Sequence, residues 1–296
     1  MTFLLLVICI LSSGFTGNIY KKLSDDCRRS YEIAATPSVW LLCLSLFFAV
    51  FSLVSKSNRM ISLELLLTAI PAGVCIFVAA YTLLLSMKEN ALSVAVIIVN
   101  LNFIIPVVLS LIFLSDHIGI IQLLGMILSI TVIVLLNIGG KTEGETKKSG
   151  ILLPVAACLS NGLFNFFIKI NESQGGAAFP FFAVAYGFGA CISIVLGTVL
   201  SVRKGKIRFP LEKTYLKKAI LPMLLIGICN GVCFYTARIL AERMNAAAQF
   251  TAVTCMSILL SLVVGFLFQG DKFNKKTFVS ILFCVLAVLC QYSGLV

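Results

Sequence analysis

The chain has 296 residues, 60% of them hydrophobic and 12% charged, with a formal net charge of +11. A mean hydropathy of +1.08 means more apolar surface than a water-soluble fold of this length could bury, so soluble enzymes and nucleic-acid-binding domains are set aside and an integral membrane protein is expected. Backbone groups in lipid must be paired internally, which leaves helix bundles and closed barrels; the alternating ten-residue strands of a barrel are absent, so the spans are helices.

In chain order the apolar stretches fall at 2–20, 38–55, 62–87, 91–114, 118–138, 150–170, 178–201, 219–241, 246–268 and 277–295. Each is close to the roughly 20 residues needed to cross a hydrocarbon core of about 30 Å. The first is read as a true helix rather than a secretory signal, because Met1-Thr2-Phe3 has no basic n-region and the span has a counterpart later on.

That counterpart belongs to an internal repeat, which sets the architecture. Asn90-Ala91, Phe113-Leu114-Ser115-Asp116 and Gly139 recur at one offset as Asn245-Ala246, Phe268-Gln269-Gly270-Asp271 and Gly294. Ser12, Gly14 and Lys21 match Ser160, Gly162 and Lys169, and Ile70-Pro71 with Tyr81-Thr82 matches Leu221-Pro222 with Tyr235-Thr236. Spans one to five therefore repeat as six to ten: residues 1–139 form the first unit, 140–149 a polar linker and 150–296 the second. A five-span unit ends on the opposite side of the membrane from where it began, so its second copy enters upside down. The expected fold is an all-α integral membrane protein of ten transmembrane helices built as two inverted five-helix repeats. Such pairs place a substrate site near the midplane and rock one half against the other, which predicts a secondary transporter acting by alternating access.

The order of features resembles the drug/metabolite transporter superfamily in its ten-helix EamA-type form. The residues that carry the resemblance are Gly14-Phe15-Thr16-Gly17-Asn18-Ile19-Tyr20-Lys21 in the first helix, Tyr81 late in the third, Pro106 within the fourth, and Asp116 leading to Gln122-Leu123-Leu124-Gly125 in the fifth. The family usually has glutamate where this chain has Asp116 and Asp271, and the second copy has Ser261 and Ser280 in place of the proline and glycine. The resemblance implies a cavity walled by the first, third and fourth helix of each half, and by that analogy Asn18, Tyr81, Asn102, Asn165, Asn230, Tyr235 and Ser257 are the candidate substrate contacts. It also implies termini in the cytoplasm and a multi-pass protein of the cell membrane.

The residues themselves make a similar case. Ala95, Asn102, Pro106 and Ser110 share one face of the fourth helix, with Ser257, Ser261 and Gly265 at the corresponding positions of the ninth. Such a face either lines a pathway or lets helices pack closely. Asn100 lies about 200° round an α-helix from Asn102, so the two amides are not expected to point the same way. Lys21 and Lys169 end the first helix of each half and either snorkel to the headgroups or close the cavity; with Arg238, which is also placed to pair with Glu242 at i+4, they are the gating candidates. Glu64 suits the positive start of the third helix. No acid lies mid-span, so no proton carrier stands out.

An enzymatic reading has only His117 beside Asp116 and matches no zinc or triad motif; the protein is expected not to be an enzyme. A channel or non-transporting sensor on the same scaffold is the alternative, and a membrane-embedded enzyme ranks below it. Of the 11 cysteines only Cys27 lies outside the spans, the others read as small apolar filler, and no metal or cofactor is expected. The expected partners are a small-molecule substrate (a metabolite, amino acid or drug) and the lipid bilayer, with no nucleic acid and a homodimer left open. Most lysines and arginines fall in the odd-numbered connections, so the positive-inside rule puts both termini outside, against the family orientation.

Overall fold

The computed structural model describes residues 2–27, 29–54, 62–89, 98–137, 149–205, 211, 213–268 and 275–293. All the regular structure among them is helical: α1 (Thr2–Asp26), α2 (Ser30–Val54), α3 (Leu63–Glu89), a 3₁₀ turn (Leu101–Phe103), α4 (Ile104–Phe113), α5 (Ile120–Asn137), α6 (Ser149–Ser173), α7 (Ala178–Arg203), α8 (Lys213–Ala241), α9 (Ala246–Phe268) and α10 (Lys275–Ser293). Within the described residues α2, α3, α6, α7 and α8 each carry a stretch long and apolar enough to cross a membrane, while α4, α5, α9 and α10 carry shorter apolar ones. Leu53, Leu63, Ile120, Leu152, Val195 and Ile228 are among many large apolar side chains left exposed on the outer faces. A water-soluble protein rarely tolerates apolar surface on this scale; hydrocarbon does. The linker at 140–148, Ala95, Asp271 and Gly294 lie outside the described residues, as do the side chains of Ser261 and Gly265.

Two boundaries differ from the sequence reading. The second helix begins at Ser30, two turns before the predicted 38, although Pro37 lies inside it. Proline forfeits one backbone bond there, but Thr36 Oγ1 donates to the Glu32 carbonyl (2.6 Å) and Ser38 Oγ to the Ala35 carbonyl (2.6 Å), so the turn keeps other bonds. The Glu32 carboxylate reaches back to accept from the Arg29 amide at 3.0 Å, an acid placed at the positive end of its helix. In the fourth span, expected as one helix over 91–114, the 3₁₀ turn precedes α4.

The most extensive contacts between halves are α2 with α7, α3 with α6, α1 with α8, α3 with α7 and α5 with α10, followed by α1 with α9, α2 with α8 and α4 with α6. Exchanging each helix for the one five places along leaves this set unchanged: α1·α8 becomes α6·α3, and α1·α9 becomes α6·α4. Helices α1, α2, α3, α6, α7 and α8 share one large core around Trp40, Phe48, Phe164, Phe182 and Tyr186. Phe103, Val107, Ile133, Cys255 and Cys284 centre a second core among α4, α5, α9 and α10.

Glycine sets the closest approach inside the larger core. A Cβ on Gly73 would stand 2.5 Å from the Ala185 carbonyl oxygen, and one on Gly189 would stand 2.9 Å from that of Gly73. The backbones of α3 and α7 thus touch with no side chain between them, as small-residue packing in membranes permits.

Candidate functional site

A cavity of about 410 Å³ opens among α1, α3, the residues just ahead of α4, α6, α8 and α9. Helix α1 presents Cys9, Ser13, Thr16 and Tyr20, spaced four, three and four apart and so on one face. Helix α6 presents Asn161 and Asn165 one turn apart, α8 presents Asn230 and Phe234, and α9 presents Gln249, Phe250 and Ser257. A volume of this order suits a small organic ligand.

Part of the polar lining is internally bonded. Asn230 Nδ2 donates to the Tyr20 hydroxyl at 3.1 Å, and the hydroxyls of Ser13 and Ser257 bond to each other across α1 and α9. Gln249 Nε2 donates to the Ala237 carbonyl at 2.6 Å, and its buried Oε1 has no partner among the described residues. The thiols of Cys9 and Cys233 lie 3.6 Å apart. By contrast, the side-chain amides of Asn100, Asn102, Asn161 and Asn165 have no hydrogen-bond partner among the described residues. No described lining residue is charged.

Both Asn100 and Asn102 reach the lining, against the expectation that they diverge. The intervening 3₁₀ turn is one reason: at three residues per turn two positions stand about 120° apart, instead of about 160° on an α-helix. Pro106, buried in the first turn of α4, has no amide with which to bond the Asn102 carbonyl four residues back. That carbonyl faces α6, 2.8 Å from where a Cβ on Gly162 would stand.

The residues expected to contact substrate divide into three groups. Asn102, Asn165, Asn230 and Ser257 line the cavity. Tyr81 and Tyr235 lie elsewhere: Tyr81 stacks on Phe77, with ring centroids 5.9 Å apart, and Tyr235 stacks on Phe179 at 5.4 Å beside a second, apolar cavity between α2 and α8. Asn18 and Lys21 lie on α1, but their side chains fall outside the described residues.

Neither described gating candidate lines the cavity. Lys169, buried in the bundle, donates to the carbonyls of Ala241 (2.7 Å), at the end of α8, and Met244 (3.2 Å), in the turn beyond it, with the Glu172 carboxylate at 3.6 Å. Arg238, also buried, binds Glu242 at 2.8 Å and the Gly176 carbonyl at 3.0 Å. It thereby ties the end of α8 to the turn between α6 and α7.

The repeated landmarks of the sequence meet in space. Asp116 Oδ2 accepts from the Ala246 amide (3.1 Å) and Asn245 Oδ1 from the Ala248 amide (2.9 Å), so two side chains share the open amides at the start of α9. Asn245 Nδ2 donates to the His117 carbonyl and to Gln122 Oε1, each at 3.1 Å. Asp116, just beyond α4, therefore holds the first turn of α9. His117 contributes its carbonyl to this clasp.

Sequence reasoning passed over Ser13, Thr16, Tyr20, Gln249 and Phe250 as lining residues. For the first three the signal was present, since polar groups at spacings of three and four in an apolar span mark one helical face. Gln249 sits in the first turn of its span, where an amide reads as an ordinary helix end.

A helical fold with membrane-length apolar helices and a cavity between exchange-related helices is that of a polytopic membrane protein. A solved crystal structure, described only as that of a protein, is similar over 98% of this chain and 95% of its own, with 14% identity and a TM-score of 0.68; at that identity the likeness shows the fold alone. No curated protein sequence matches. The family model for the EamA-like transporter family matches residues 148–292, which places that segment in the drug/metabolite transporter superfamily.

Proposed function

We propose that the protein is a secondary transporter of the cell membrane, moving a small molecule through the cavity between two inverted five-helix repeats by alternating access. The observation that carries the reading is the cavity's wall, which draws on the first, third and fourth helix of the first repeat and on their counterparts α6, α8 and α9 in the second. The exchange-invariant pairing of helices between halves supports the same reading, because two copies related by a twofold axis make each mixed contact twice. Residues 1–139 and 150–296 are then the rocking halves, and 140–149 joins them. Asn102, Asn165, Asn230 and Ser257 are the substrate contacts.

Two measurements test this. Tags placed before residue 1 and within 141–148 should report opposite sides of the membrane; a shared side removes the inversion. In a chain stripped of native cysteines, Asn102→Cys in sealed vesicles should react with a neutral thiosulfonate supplied from either side, while glutathione scavenges the reagent on the opposite side. Labelling from one side alone under every condition would falsify alternating access.

A further inference from the structure

Resting on the transport reading above, we propose that the cavity selects solutes carrying no ionic group, rich in hydrogen-bond donors and acceptors together, and turns away ions of either sign. The four amides of Asn100, Asn102, Asn161 and Asn165 stand on its wall with no hydrogen-bond partner among the described residues. Each amide offers an acceptor oxygen and two donor hydrogens. These amides face the open space of the cavity, where a guest with mixed donors and acceptors, such as hydroxyl or carboxamide edges, can bond them in place of water. Tyr20 and Phe250 lie among the amides on the same wall and offer flat apolar surface to the carbon skeleton of such a guest.

An ion would find no counter-charge among the described lining residues. None of them is acidic or basic, and the two buried cations among the described residues are already engaged. The Lys169 ammonium is held by the Ala241 and Met244 carbonyls, and the Arg238 guanidinium by Glu242 and the Gly176 carbonyl. Removing a charge from water without a partner costs several kcal/mol in a protein interior, whereas a neutral polar solute exchanges its water for amides at little loss.

The test uses reagents of three charges, the two charged ones of similar bulk, and the added Asn165→Asp separates charge from bulk. Ser257→Cys, in a chain stripped of native cysteines, is reacted with hydroxyethyl, trimethylammonioethyl and sulfonatoethyl methanethiosulfonate, each rate being divided by that of the same reagent on glutathione. The neutral reagent should react at least about tenfold faster than either charged one, one decade per ~1.4 kcal/mol. A charged reagent inside that tenfold margin overturns the inference and leaves the pathway standing. Failure of all three reagents removes the pathway and the inference with it. Adding Asn165→Asp should raise the cationic rate and lower the anionic one; unchanged rates would mean that the amide wall does not set the preference. Should Ser257→Cys not fold, Asn102→Cys serves as the reporter.

Discussion

Replacing Lys169 with methionine separates a gate from a cap. Methionine keeps the length of the side chain and removes its charge and donors. The Lys169 ammonium holds the Ala241 carbonyl at the C-terminus of α8, at 2.7 Å, and the Met244 carbonyl in the turn beyond it, at 3.2 Å; the last carbonyls of a helix have no partners of their own. Hydrogen bonds to a charged group are worth about 1.5–3 kcal/mol each, and a cation at a helix C-terminus gains roughly 0.3–1 kcal/mol more. Against this stands the cost of keeping a buried ammonium out of water, itself several kcal/mol, which the methionine variant no longer bears. The Glu172 carboxylate adds little at 3.6 Å, being too far for a strong charge-assisted bond. The net loss is about 2–3 kcal/mol.

For a folding unit of 150–250 residues each kcal/mol shifts the melting midpoint by roughly 2–4 °C, so Lys169→Met should lower it by about 5–10 °C. The assay is thermal unfolding of the purified protein in one detergent at one scan rate, since membrane proteins often unfold irreversibly and their midpoints are then rate-dependent. Lys169→Arg, which keeps a cation in place, should recover part of the loss. A midpoint within a degree or two of the parent would refute the capping argument and return Lys169 to the list of gates.

Three other outcomes are expected. Asp116→Ala should cost about 1 kcal/mol, the usual worth of a helix N-cap, and its effect should fall short of additivity with Asn245→Ala because both serve the first turn of α9; thermal midpoints of the single and double variants decide it. Gly73→Val should prevent stable accumulation in the membrane, because any Cβ there meets the Ala185 carbonyl at 2.5 Å and backbone has no rotamer by which to yield; quantitative blotting of membrane fractions measures this, and parent-like levels would contradict the close crossing. Cys27, in the turn between α1 and α2, has its thiol pushed above the ordinary range chiefly by burial. The unfolded chain therefore gives up that proton before the folded one does, so the thiol's contribution is whole below the ordinary thiol pKa of about 8.5 and declines as pH rises beyond it. Between pH 7 and pH 9.5 the parent should lose more thermal stability than Cys27→Ser, and equal losses would contradict it.

Much of the fold was legible because bilayer crossing imposes its own arithmetic on composition, and because the repeat at Asn90-Ala91 and Asn245-Ala246 survives in the residues themselves. What escaped was local. The second span was expected to start at 38, yet the helix runs through Pro37, where hydroxyls on both sides donate to carbonyls of the same turn. The 3₁₀ turn at Leu101–Phe103 has no periodic signature, so the facing of Asn100 was misjudged. For the site, asparagine in an apolar span was a sound pointer, since an amide in lipid needs somewhere to go. Tyrosine was a poorer one: Tyr81 and Tyr235 are amphipathic enough to stack on Phe77 and Phe179 instead of facing the cavity. The lysine at the end of the sixth span could have been snorkelling or gating on sequence grounds, and only the fold brings the end of α8 to its ammonium.

The clasp at the start of α9 also has a bearing on how the protein is made. Ribosomes deliver residues in order and early segments settle before late ones emerge, so the carboxylate of Asp116 is already waiting when Ala246 arrives. A truncated chain beginning at Ser149 would make α9 with that acceptor missing.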